Sequence, residues 1–439
     1  MDPLPVALSR YGALSREPSP VNRMMGSFAA DFRDDRDINL GVGYVNEATI
    51  PRDLLRDSLD AVLRQPDRYR AALNYGGPRG SENLIASIAR LLEPAAAAAN
   101  PPREIIIGPN GATGLLESIA HVLPTGIVIT TDPMYYIYCN LLERLGYEIV
   151  AVPEDDQGLR PELLDRKLEE LGTRRREISF FYVVTVNNPT STILANKRRR
   201  ELITTVERVS RELQRPVPLI LDKAYEQLIH DPAVPLPEPA AKLDPAGLTY
   251  EIGTLSKILA PGLRIGYLAG PAGDFLDALV QRTSDAGFSA PLINQELASY
   301  FLDHHLEAQM ARVNSGYREK AAEIRACIDA ILGTALGECR GGQAGFYFYL
   351  TFGGIETGTR SPFFRYLART TGMSRIDGPQ GDGHPRVVYI PGDYCVHSGG
   401  DMVEVGRRQL RLSYGFEETD RVRQALVLIG EAVDFATGR

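Results

Sequence analysis

The stretch Thr254-Leu255-Ser256-Lys257-Ile258-Leu259-Ala260-Pro261-Gly262-Leu263-Arg264-Ile265-Gly266-Tyr267 puts two hydroxyls, a lysine and, seven residues after the lysine, an arginine into a turn between two strand-like runs. A lysine in a loop is ordinarily just solvated. A lysine buried near a second cation behaves differently: its charged form is disfavoured, its pKa falls, and the amine becomes the nucleophile that imine chemistry requires. Arg264 offers a planar fork suited to a phosphate, and Thr254 and Ser256 add hydroxyl donors.

Outward from this turn, between about residues 50 and 300, helical patterns alternate with short β-branched runs bounded by Gly, Pro, Asn or Asp. Helices are expected at 51–63, 81–92 and 112–123, the last opened by Asn110-Gly111 and stopped by Pro124. Strands are expected at 104–107, 126–130, 148–152, 178–186, 217–221, 250–253 and 265–269. Buried runs separated by helices indicate a mainly parallel α/β sheet. A long helix over 295–332 comes next, then strands over 345–351, 387–390 and 410–414 and a closing helix over 419–436, the pattern of a smaller α+β unit. Residues 1–40 are polar and proline-bearing and read as an arm. Loops are expected at 94–102, 231–247 and 372–384, and the second of these, just after Asp222–Tyr225, is a candidate border of the substrate site.

At 439 residues, the chain exceeds the roughly 250–300 at which one hydrophobic core stops growing, so two domains are expected. The net charge of −8 disfavours nucleic acid as a partner, because the basic runs Arg174–Arg176 and Lys197–Arg200 have acidic residues close by and read as solvated helix faces. Cys139, Cys327, Cys339 and Cys395 show no CxxC spacing, which argues against a zinc site or a disulfide framework and suits a reducing cytosol. No run approaches the 18 or so apolar residues of a membrane span, and a cytoplasmic protein is expected.

The lysine segment resembles the signature of class I/II aminotransferases, the fold-type I enzymes that use pyridoxal 5′-phosphate. That pattern runs Ser-x-Ser-Lys, then Pro-Gly-x-Arg-x-Gly, with Thr254 here in place of the first serine. The resemblance implies an α/β fold-type I architecture with a mainly parallel seven-stranded sheet. Residues 46–300 would form the large cofactor-binding domain, 301–439 a smaller α+β domain, and 1–45 an N-terminal arm and part of the small domain. Lys257 would hold the cofactor as a Schiff base, with Thr254, Ser256 and Arg264 at its phosphate.

Further landmarks of that family occur in order. Leu221-Asp222-Lys223-Ala224-Tyr225 resembles Asp-x-Ala-Tyr, which implies Asp222 at the ring nitrogen and Tyr225 at the ring's 3-oxygen. A carboxylate there keeps the ring protonated and able to accept electrons. Asn187-Asn188-Pro189-Thr190-Ser191 resembles Asn-Pro-Thr-Gly, with Asn188 a second donor to that oxygen and a contact for substrate, and with Ser191 in place of glycine. Pro109–Gly114 opens a helix, where free N–H groups and the helix dipole favour a phosphate, and the resemblance points to Ala112 and Thr113. Tyr135, in Pro133-Met134-Tyr135-Tyr136-Ile137-Tyr138, would stack on the ring. Tyr75, in a partial match to Tyr-x₄-Gly, would reach the phosphate of a neighbouring subunit, which implies a homodimer. Gly43, ending Leu40-Gly41-Val42-Gly43, would line the substrate site. Arg411, in Leu410-Arg411-Leu412-Ser413, would grip the substrate carboxylate, although an arginine on an edge strand is ordinarily solvated.

This machinery is compatible with several outcomes. Transamination of an amino acid is the leading expectation. Elimination, replacement, ring formation on S-adenosylmethionine and amino acid oxidation run on the same constellation, and a cofactor-binding regulator is a more remote alternative. Tyr44, Ser191, Phe288, Ser289 and the loops at 231–247 and 372–384 are candidate determinants of the side chain accepted.

Overall fold

The computed structural model describes residues 6–92, 103–378 and 384–438, so the expected loop at 94–102 and part of that at 372–384 lie outside the described residues. All seven expected strands of the first sheet form: β1 (Arg103–Ile107), β2 (Ile127–Asp132), β3 (Glu148–Asp155), β5 (Ile178–Val184), β6 (Leu219–Asp222), β7 (Thr249–Thr254) and β8 (Gly266–Pro271). A two-residue eighth, β4 (Gly158–Leu159), turns back antiparallel on β3 at the sheet edge. The order is β1-β8-β7-β6-β5-β2-β3-β4.

Strands β2, β3, β5, β6 and β7 pair in parallel, as their apolar content requires; every residue of Ile178–Val184 is buried, because helices such as α3 (Asn196–Leu213) cover both faces. Strand β8 runs antiparallel to both β7 and β1, so β1 points the same way as β7. The carboxyl ends of β1, β2, β5, β6 and β7 therefore meet at one edge, with the start of β8. At such an edge an open α/β sheet holds its ligand.

The second sheet has the order β9-β10-β12-β11, from β9 (Leu336–Gly341), β10 (Tyr347–Phe352), β11 (Ile390–Pro391) and β12 (Gln409–Ser413). Helix α4 (Leu292–Leu332) is continuous over 41 residues. Near its start Ser299 meets Ser87 of the neighbouring helix (3.0 Å), while Tyr317, Ile324 and Ile328 enter the core that carries the smaller sheet. The closing helix α5 (Thr419–Thr437) packs into the same core through Val422, Leu426 and Ile429.

The N-terminal region is more than an arm. Helix α1 (Pro20–Ala29) starts at the Ser19 cap, whose side chain accepts from Asn22 N, and buries Val21, Met24 and Phe28 in that core. The ring of Phe28 meets Phe364 edge-on at 6.1 Å. Proline and polar residues masked this helix because its apolar stripe is only three residues wide. Beyond the helix, a buried cluster of ion pairs at Asp37 anchors the chain. Burial alone would push Asp37 up, but hydrogen bonds from Arg33 (2.6 Å) and Arg386 (2.7 Å) hold its carboxyl well below the usual range.

The sheet edge is built on one close approach. A Cβ on Gly266 would lie 2.2 Å from the Ala112 nitrogen, so the start of β8 lies directly against the N-terminus of the helix after β1. Gly266→Ala should therefore lower stability by about 1–3 kcal/mol, the usual cost of overpacking. Thermal unfolding checks this, and a variant melting with the wild type would show that the contact is slack.

Candidate active site

The carboxyl edge carries two adjoining cavities, of about 230 Å³ and 340 Å³. The first is lined by Ala112, Thr113, Asp222, Thr254, Ser256 and Arg264 among others, and the second by Gly41, Tyr347 and Arg411 among others. Gly43, Tyr44, Tyr135, Asn188, Tyr225 and Lys257 line both. The structure thus brings together every predicted site residue except Tyr75.

Lys257 follows β7 in the turn read first from the sequence, and its Nζ donates to the Gly43 carbonyl (2.9 Å). Burial pulls its pKa down to about 8, helped by the positive charges of Arg411 and Arg264 and opposed by Asp222. Asp222 ends β6. It accepts from Tyr182 Oη (2.8 Å) and from the Ala224 backbone (3.0 Å), while burial raises its pKa. A protonated ring nitrogen beside it would offset that burial.

The other end of the first cavity suits a phosphate. Helix α2 (Gly111–Val122) begins there, and the first N–H groups of a helix lack partners within it. Arg264 has a left-handed backbone (φ 55°), and its guanidinium is steered by the Asn110 side chain (2.9 Å) and carbonyl (3.1 Å). Thr254 Oγ1 donates to the Ile265 carbonyl (2.8 Å) and accepts from Ser256 N (3.2 Å), which braces the turn. With a carboxylate at one end, cationic and hydroxyl donors at the other and a lysine between, the donor set fits pyridoxal phosphate.

Arg411 is 2% exposed. Strand β12 lies between β10 and β11, so this arginine is on an interior strand and not on an edge. Its Nη1 donates to Asn188 Oδ1 (2.8 Å), its Nη2 donates to the Gly41 carbonyl, and its plane lies 4.5 Å from the Tyr347 ring centre. Among the described residues no carboxylate pairs with it. An uncompensated buried cation is costly, and an incoming carboxylate would relieve it.

Two residues were missed by sequence reasoning. Tyr347 Oη is 2.7 Å from Tyr225 Oη and would lie 2.7 Å from a Cβ at position 43, which is why Gly43 carries no side chain. Tyr182 supports Asp222 from a mostly apolar buried strand. The only signal was a tyrosine in a buried run, whose hydroxyl needs a partner. Val21, Asn22 and Met25 of α1 also line the second cavity, so the supposed arm forms part of the site wall.

Among the described residues of the candidate side-chain determinants, only Tyr44 lines the cavities. Ser191 adopts φ 55°, so the turn keeps the left-handed geometry that glycine would give it, and its hydroxyl is buried without a partner. Phe288 sits against Tyr75 with ring centres 5.5 Å apart; the two are 60% and 81% exposed, and neither faces the cleft of its own chain. The loop at 231–247 packs away from the site: Leu236 and Glu238 bond Asn196, and the Glu238 carbonyl accepts from Arg199.

The sequence profile of the family described as Aminotransferase class I and II matches residues 37–378. A relative described as an uncharacterized HTH-type transcriptional regulator, YisV of Bacillus subtilis, is 24% identical over 72% of this chain and 62% of its own length. The 2-aminoadipate transaminase of Thermus thermophilus is 25% identical over 87% of this chain and 86% of its own. The chain spans less than two thirds of the length of several curated relatives that it matches. Among solved structures, the multiple substrate aminotransferase of Thermococcus profundus superposes with a TM-score of 0.82 over 98% of both chains at 20% identity, a likeness of fold.

The lowered Lys257 pKa gives a direct expectation. A base whose pKa is depressed loses its proton early, so the amine is neutral above about pH 8 and protonated below it. Capture of added pyridoxal phosphate by the cofactor-free protein should accelerate as pH rises through about 8 and then level off. A midpoint near the ordinary lysine value of 10.5 would contradict this.

Proposed function

The chain belongs to the class I and II aminotransferase family, and on that premise we propose that it is a pyridoxal phosphate-dependent enzyme that moves the amino group of an amino acid to a keto acid. The observation that carries this reading is the meeting of Lys257, Asp222, Arg264 and Arg411 around one pair of cavities. Each is charged, and each has a separate task there.

When bound, the cofactor supplies an aldehyde for the amine and a ring that accepts electrons from the substrate carbon. Arg264, Ser256 and the N–H groups of Ala112 and Thr113 would hold its phosphate. Asp222, held by Tyr182, would keep the ring nitrogen protonated. Tyr225 and Asn188 would donate toward the ring oxygen, and Tyr135 would cover a ring face. Arg411 grips the substrate carboxylate and fixes the Cα–H bond near Lys257. The Lys257 amine, with its lowered proton affinity, would take the Cα proton and hold it for return.

The similarity to a protein described as a transcriptional regulator favours a second reading, in which the same site binds the cofactor as a sensor. The complete proton-transfer set supports the enzyme instead. The protein is further read as cytoplasmic; among the described residues no helix is long and apolar enough to cross a membrane. It is also read as a homodimer, with Tyr75 crossing to the partner's phosphate site. The exposure of Leu73, Tyr75 and Phe288, at 79%, 81% and 60%, supports this. The division into a large domain over 46–300, a small one over 301–439 and an N-terminal part over 1–45 belongs to the same reading, with residue 300 falling inside helix α4.

A single-turnover experiment tests the activity. The loaded protein is mixed with a panel of amino acids, S-adenosylmethionine included, with no keto acid present. Stoichiometric conversion of the cofactor to pyridoxamine phosphate with the matching keto acid is expected. Repeated turnover with the cofactor regenerated would mean elimination, replacement or oxidation, and no reaction at all would favour the sensor.

A further inference from the structure

Behind the catalytic contacts lies a buried carboxyl that no step above uses. Glu154 of β3 is 5% exposed, at the same sheet edge as the cavities. Its Oε1 accepts from Thr190 Oγ1 (2.6 Å), and its Oε2 accepts from Asn187 Nδ2 (2.9 Å). The same Asn187 amide donates to the Pro133 carbonyl (3.0 Å). From the smaller sheet, the Arg340 guanidinium approaches Oε1 to 3.7 Å.

These partners have a common feature. Asn187 and Thr190 flank Asn188-Pro189, and Pro133 stands two residues before Tyr135. One carboxyl therefore braces the turn that presents Asn188 and, through Asn187, the turn that presents Tyr135. Asn188 in its place accepts from Arg411 Nη1 (2.8 Å), and with the Gly41 carbonyl it fixes the direction of that guanidinium.

We propose that Glu154 is a positioning residue for the substrate carboxylate: by clamping Asn187 and Thr190 it seats Asn188 against Arg411 and so aims the arginine into the second cavity. The inference rests on the reading of Arg411 given under the proposed function. Burial pushes the Glu154 carboxyl up to about 7, against the pull of Thr190 and of the Arg340 charge. An acid held at such free-energy cost is not needed to fill space, since an apolar side chain would pack there but leave the Thr190 donor unmet. Arg340 has a partner of its own in Glu338 (2.8 Å), so pairing Arg340 does not by itself account for the carboxyl.

Glu154→Gln tests this in the full, cofactor-loaded chain. The substitution keeps the shape, replaces one acceptor by an amide N–H so that either Asn187 loses its acceptor or the Thr190 hydroxyl must turn round, and weakens the attraction to Arg340. The KM for the best amino acid of the panel should rise about tenfold, the scale of one hydrogen bond to a charged group, with a smaller change in kcat. A purely structural role would lower the melting temperature and the loaded fraction while leaving KM per loaded site unchanged, and that result would overturn the proposal. A crystal structure of the variant gives a readout independent of turnover. Separation of Asn188 Oδ1 from Arg411 Nη1 is expected, and retention of the 2.8 Å contact would overturn the proposal even if the wild type transaminates nothing. Should Glu154→Gln fail to fold, Thr190→Val removes one clamp alone and is read in the same two ways.

Discussion

The cavities hold more positive charge than they can neutralise. Lys257, Arg264 and Arg411 line them, and Asp222 is the one carboxylate among the lining residues. In a cleft partly shielded from water such an excess is unfavourable without anions, and the structure separates its two arginines into different cavities. Arg264 and the start of α2 stand at one end, where the proposed phosphate would lie. Arg411, stacked on Tyr347 and held by Asn188, stands at the other, where the proposed substrate carboxylate would lie. Lys257 lies between, and the two arginines add to the effect of burial in depressing its proton affinity.

The two sheets are arranged to deliver this distribution. Parallel strands bring Asp222, Asn188 and Lys257 to one edge from residues far apart in the chain, and the antiparallel β8 returns Arg264 and Gly266 to the same edge. The smaller sheet contributes Arg411 and Tyr347 from adjacent strands. Helix α1 closes the remaining side with Val21, Asn22 and Met25. The second cavity is thus assembled from three separate parts of the chain.

Much of this was legible in the sequence because local chemistry carried it. A lysine, an arginine and paired hydroxyls within fourteen residues left few readings, and the alternation of buried runs with helices gave all seven principal strands. What escaped depended on distant contacts. Tyr347 and Tyr182 matter through their partners, Tyr225 and Asp222, and nothing local marks which buried tyrosine meets which group. The interior place of the Arg411 strand comes from sheet order, which a single strand does not encode. Helix α1 was hidden because three apolar residues among prolines and polar groups suffice when a core is waiting to receive them. Ser191 shows the reverse: the departure from glycine was plain, but only the fold holds it in a left-handed conformation, at a cost of about 1–3 kcal/mol.

The central claim is that Lys257 is the amine that carries the cofactor. Loading the protein with pyridoxal phosphate, reducing it with borohydride and mapping the peptides by mass spectrometry tests this directly. The account predicts one pyridoxyl group per chain, on the peptide containing Lys257. A reduced cofactor on another lysine, with Lys257 unmodified, would contradict it.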